Sequence, residues 1–127
     1  MALWGPVVVQ MAIIFIASSI PNLTHTPGGV SDKTAHFAAY AILGVLLLRA
    51  LAGASWTRIG ARHAIGAWAM ACVYGLSDEW HQTFVPGRTA AWDDLIADAL
   101  GAGFAVLLGS AAGVLARRHR HSRRDET

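Results

Sequence analysis

Eleven residues in this chain have the types and spacing to do chemistry together. Asp32, Lys33, His36 and Tyr40 fall within one short stretch. Asp78, Glu79, His81 and Gln82 form a second, and Arg88, Asp94 and Asp98 a third. His36 and Glu79 have the side chains for an acid/base pair. Arg88 and Lys33 suit a phosphate clamp, with Asp32 and Asp94 as orienting carboxylates. Tyr40, Asp78, His81, Gln82 and Asp98 complete the candidate binding set. His36, Asp78, Glu79 and His81 also offer ligands to a divalent metal. There is no His-Glu-x-x-His pattern, however, so the expectation is a site without a resident cofactor, a divalent ion being the alternative. A nucleophilic hydrolase has the least support: Ser77 lacks a Gly-x-Ser-x-Gly turn, and Cys72 lies two turns below the cluster in apolar surroundings.

The charges in this set are unbalanced. Six acids, Asp32, Asp78, Glu79, Asp93, Asp94 and Asp98, face two permanent cations, Lys33 and Arg88, with His25, His36 and His81 nearby. A phosphate is repelled there unless acids are protonated, histidines are charged or a divalent metal intervenes. Asp32, Asp93 and Asp94 fall at expected helix N-termini, where the dipole favours them. Asp78 and Glu79 fall in a last helical turn, where it does not.

The elements that must position these residues are membrane helices. Hydrophobic residues make up 54% of the 127, charged ones 14%, and mean hydropathy is +0.43. That excludes a disordered chain. Met1–Ser31, Thr34–Leu48, His63–Ser77 and Ala99–Ala116 contain no Asp, Glu, Lys or Arg, and their apolar residues leave no hydrophilic stripe for water. The prediction is an all-α integral membrane bundle of four transmembrane helices near 3–20, 34–53, 62–82 and 94–116. Residues 1–116 form a single domain and 117–127 a basic tail. The first stretch reads as a span rather than a cleaved signal, because no Lys or Arg precedes it and its apolar core is long. Pro21 and Pro27-Gly28-Gly29 mark the first loop, Gly53 to Gly60 the second and Pro86-Gly87 the third.

Eight of the ten basic residues, Arg49, Arg58, Arg62 and the five of the tail, fall on one side. The positive-inside rule then places both termini in the cytoplasm and the acidic cluster outside the inner membrane. The tail is expected to touch anionic lipid rather than nucleic acid. The uncharged parts of spans two and three cover only about 22 Å each, so some ionisable groups lie at or below headgroup level, facing the interior. Intramembrane ionisable residues are functional candidates.

Helical spacing says which residues converge. Asp32, His36, Tyr40 and Gly44 share a stripe, as do Ala67, Ala71, Gly75 and Glu79, and Ala97, Gly101, Ala105, Gly109 and Gly113. The small-residue stripes allow close helix approach, and they also offer a surface for a homo-oligomer.

Three of these segments resemble the signatures of the VanZ-like membrane proteins. Asp32-Lys33-Thr34-Ala35-His36-Phe37-Ala38-Ala39-Tyr40 with Leu43-Gly44 is similar to the first. Tyr74-Gly75, Asp78-Glu79-Trp80-His81-Gln82 and Phe84-Val85-Pro86-Gly87-Arg88 are similar to the second. Asp94, Ala97 and Leu100-Gly101 are similar to the third, with Asp98 where the family often has Asn. The resemblance implies a small bacterial envelope protein associated with low-level resistance to the lipoglycopeptide teicoplanin; it implies no reaction. With the charge pattern, it leads to one expectation: recognition or modification of an envelope lipid, a polyprenyl-phosphate or glycolipid headgroup, at the outer face. The alternatives are a small proton-coupled transporter using Glu79, Asp98 and His36, and a non-catalytic scaffold held together by its ion pairs.

Overall fold

A computed structural model describes residues 3–21 and 29–125. His25, counted above beside the acidic cluster, and Pro27 and Gly28, read as loop residues, lie outside the described residues, as does Glu126. The chain forms α1 (Gly5–Ser18), α2 (Asp32–Leu51), α3 (Ala61–Gln82) and α4 (Trp92–Asp125), with a 3-10 turn at Trp56–Arg58. Among the described residues there is no strand. The all-helical expectation is met, with boundaries moved by no more than two residues except at the end of α4. There the helix continues through the basic tail to Asp125 rather than stopping near residue 116.

Local chemistry accounts for several boundaries. Pro6 occupies the first turn of α1, where its missing N–H costs nothing. Ser31, not Asp32, caps α2: its hydroxyl accepts from the Thr34 N–H at 3.2 Å. The turn after α3 closes with the Arg88 N–H donating to the Val85 carbonyl at 3.1 Å. Pro86 and Gly87 are its central residues, and Gly87 has φ +77°. That combination is a type II turn, which favours glycine at its third position. The turn brings Arg88 back over the bundle end.

Polarity inside and out is reversed from that of a soluble bundle. Gln10, Ser18, Asp78, Glu79, Gln82, Asp94 and Asp98 are buried, while Val8, Ile16, Ile65, Val73, Leu76, Leu100 and Leu107 are exposed. Every helix presents large apolar side chains outward, the pattern expected where the surroundings are lipid. α2 and the Trp92–Ser122 part of α4 are each long and apolar enough to cross a membrane; α1 is apolar but has 14 residues. The 22 residues of α3 are long enough, but its C-terminal turns carry Ser77, Asp78, Glu79, His81 and Gln82.

α2 and α4 make the closest pairing. A Cβ on Gly44 would come within 2.8 Å of the Ala102 carbonyl oxygen, and one on Gly101 would run into the Phe37 carbonyl. The small stripe of α4 thus packs inside the chain, against α2 and the turn at Trp56–Arg58.

The two ends of the bundle differ in charge. At one end α1 stops, α2 starts, α3 stops and α4 starts, joined by contacts of Lys33 with Asp93 and of Arg88 with Asp32 and Ala17. At the other, Arg117 donates to the Thr57 and Ile59 carbonyls, tying α4 to the loop after α2.

Candidate functional site

The acidic end of the bundle is built from one stripe of each long helix. On α2, Asp32, His36 and Tyr40 follow each other one turn apart and all line one cavity of about 110 Å³. α3 adds Asp78, the loop adds Arg88, and Ile14, Ala17 and Ser18 of α1 close the wall. Asp94 and Asp98 of α4 lie behind α2, 7% and 0% exposed.

His36 is the centre of this arrangement. Its Nδ1 donates to Asp98 Oδ1 at 2.9 Å, with 10% of the imidazole exposed. With Asp98 ionised the carboxylate only accepts, and Nδ1 then carries the proton of this bond. His36 and Glu79 approach each other, since donor atoms of His36, Glu79 and Asp98 lie within 4.8 Å of one another. The two side chains are not hydrogen-bonded to each other. Glu79 instead accepts from the Ala91 backbone N–H at 2.9 Å and from Gln82 Nε2 at 3.4 Å. A second trio, Asp32, His36 and Asp94, is equally close.

Arg88 is held almost inside the protein, 8% exposed. One Nη donates to the Ala17 carbonyl at 3.1 Å, the other lies 3.9 Å from Asp32, and Nε has no partner. A guanidinium kept out of water with a donor unused is poised for an anionic or carbonyl oxygen. The hydroxyl of Tyr40, both oxygens of Asp78 and Oδ2 of Asp98 are likewise buried without partners.

Two candidates fall elsewhere. Lys33 pairs with Asp93 at 2.8 Å on the open surface, both more than 60% exposed, and does not join Arg88 in a clamp. Solvent-exposed pairs of this kind contribute little. His81 turns toward α1, where Nε2 meets the Ser19 hydroxyl at 3.0 Å and the ring stacks on Phe15.

The VanZ/LLP1 family model matches residues 4–113, which include every residue named at this site. The chain belongs to the VanZ/LLP1 family. Comparison with curated proteins and with solved structures finds no match. In this VanZ/LLP1 protein the three segments read as signatures converge at one end of the bundle, and Asp98 hydrogen-bonds His36. Sequence reasoning missed the supporting backbone groups. Ala91 and Ala17 carry no side-chain signal, and only the Pro86-Gly87 turn hinted that the loop folds back.

Proposed function

We propose that this VanZ/LLP1 protein crosses the bacterial cytoplasmic membrane four times, with both termini inside, and recognises a phosphorylated envelope-lipid headgroup at its outer face. The observation that carries this reading is the buried Arg88 guanidinium, with its unpartnered Nε, lining a cavity that His36 and Tyr40 share. Such a group binds a phosphate oxygen without first giving up many bonds to water. The apolar outward faces of α1 and α3, with Trp80, Phe84 and Trp92 exposed at the acidic end, support four spans and an interfacial position for the site. The excess of Arg at the opposite end supports the orientation. A polyprenyl-phosphate or phosphorylated glycolipid is the ligand class, and a contribution to teicoplanin resistance follows through the family resemblance.

A non-catalytic scaffold is the second reading, favoured by Arg88 linking α1 to α2 through Ala17 and Asp32. Native mass spectrometry of the protein with a polyprenyl phosphate separates the two. Headgroup recognition predicts a retained one-to-one adduct that weakens at least tenfold in Arg88→Ala and less in Arg88→Lys, with helicity unchanged. Equal retention by the native protein and folded Arg88→Ala would sink the headgroup reading and leave the scaffold.

A further inference from the structure

Charge pairing at the acidic end leaves an excess that a divalent cation would halve. Arg88 lies beside Asp32 and Lys33 pairs with Asp93. Asp78, Glu79, Asp94 and Asp98 remain, each less than 10% exposed, and among the described residues no Lys or Arg pairs with them. Several ionised carboxylates buried together are costly unless a positive charge sits among them. His36 supplies at most one.

Three donors from three different helices converge near that histidine: His36 of α2, Glu79 of α3 and Asp98 of α4, their ligand atoms within 4.8 Å of one another. Around a small divalent ion such donors stand roughly 3–3.5 Å apart, so closing the group needs only side-chain movements. Asp98 Oδ2 is fully buried and has no hydrogen-bond partner. It lies against Gly75, where a Cβ would come within 2.9 Å of it. The Ala91 N–H and Gln82 hold the Glu79 carboxylate and leave it lone pairs to spare, as outer-shell partners do for metal ligands.

We propose that His36, Glu79 and Asp98 bind one divalent metal ion of the kind that accepts mixed imidazole and carboxylate ligands, such as Mn²⁺ or Zn²⁺. With the imidazole proton moved to Nε2, Nδ1 exchanges its bond to Asp98 for a bond to the ion. Two carboxylates with a neutral imidazole then make a site that a divalent ion brings to zero net charge, which a low-dielectric interior favours. The ion also makes less negative the potential that an anionic headgroup meets beside Arg88. This deepens the headgroup reading at the same site, but the ion does not require the lipid.

The test uses the full chain in lipid-free detergent, stripped with chelator and titrated with Mn²⁺ while free Mn²⁺ is followed by electron paramagnetic resonance. About one Mn²⁺ per chain is expected, displaced by Zn²⁺. Glu79→Gln and Asp98→Asn should each weaken uptake tenfold or more, while Asp93→Asn leaves it unchanged. Should either site variant lose its helicity, the native protein still reports: bound Mn²⁺ must raise its melting temperature. Failure of the native protein to take up either ion overturns the site. So does uptake that survives Glu79→Gln and Asp98→Asn but is lost in Asp32→Asn and Asp94→Asn, which moves the ion to the neighbouring trio. Adding polyprenyl phosphate afterwards separates the two proposals, since ion uptake without lipid retention leaves the metal site standing and removes the headgroup reading.

Discussion

Asp98 is fully buried and carries one hydrogen bond, from His36. Removing the imidazole would strand a carboxylate among apolar and acidic neighbours, and breaking a buried pair in this way costs about 3–5 kcal/mol. His36→Ala should therefore unfold at a markedly lower temperature in detergent. Asp98→Asn should cost less, because an amide of the same shape still accepts from Nδ1. The double variant should recover part of the loss seen in His36→Ala alone, a coupling that equilibrium unfolding of the four proteins measures. Equal losses that simply add would mean the two side chains do not depend on each other. The spacing of Asp32, His36 and Tyr40 made their common face legible from sequence, because side chains four residues apart overlie one another on a helix. That His36 answers Asp98 rather than Glu79 was not legible. Glu79 continues the small stripe of α3 and Asp98 adjoins that of α4, and the choice depends on how α3 and α4 are rotated against α2.

Between elements, the decisive contacts are backbone to backbone. Gly44 and Gly101 let α2 and α4 approach until Cα atoms meet carbonyls, and an added methyl must push the helices apart. Overpacking of this kind costs about 1–3 kcal/mol, so Gly44→Ala and Gly101→Ala should each lower the melting temperature, Gly101→Ala more. Gly5→Ala, whose Cβ would meet nothing within 4 Å, should leave it unchanged. A flat response to all three in thermal melts would mean that the α2–α4 approach is looser than described. The stripe itself was plain in the sequence, but its partner was not. The same Gly/Ala pattern suits a second copy of the chain or a neighbouring helix, and here α2 takes it.

For the whole molecule, the separation of charge sets the orientation to test. Arg117 meets Thr57 and Ile59 at one end, and Arg88 meets Asp32 and Ala17 at the other. If the basic end is cytoplasmic, a Thr83→Cys variant in a Cys72→Ser background should react with a membrane-impermeant maleimide added to spheroplasts. Thr57→Cys should react only after the membrane is opened. The reverse pattern would invert the topology, and labelling of both from outside would mean the helices do not cross as proposed. The unpaired acids were visible as a surplus in the sequence, where six carboxylates face two permanent cations. Sequence could not say which two acids those cations take, nor that the other four are the buried ones.

The sequence by itself determined an all-helical chain with apolar faces all round, its charges sorted by end, and its polar residues in stripes that share a face. Those properties follow from local periodicity and composition, which each segment carries alone. The tertiary structure decided which stripes meet, that Arg88 folds back over α1, and that donors from three helices gather at His36. Those choices depend on the rotation and close approach of helices distant in sequence. They are fixed by glycine contacts, and by backbone groups such as the Ala91 N–H and the Ala17 carbonyl that no side chain announces.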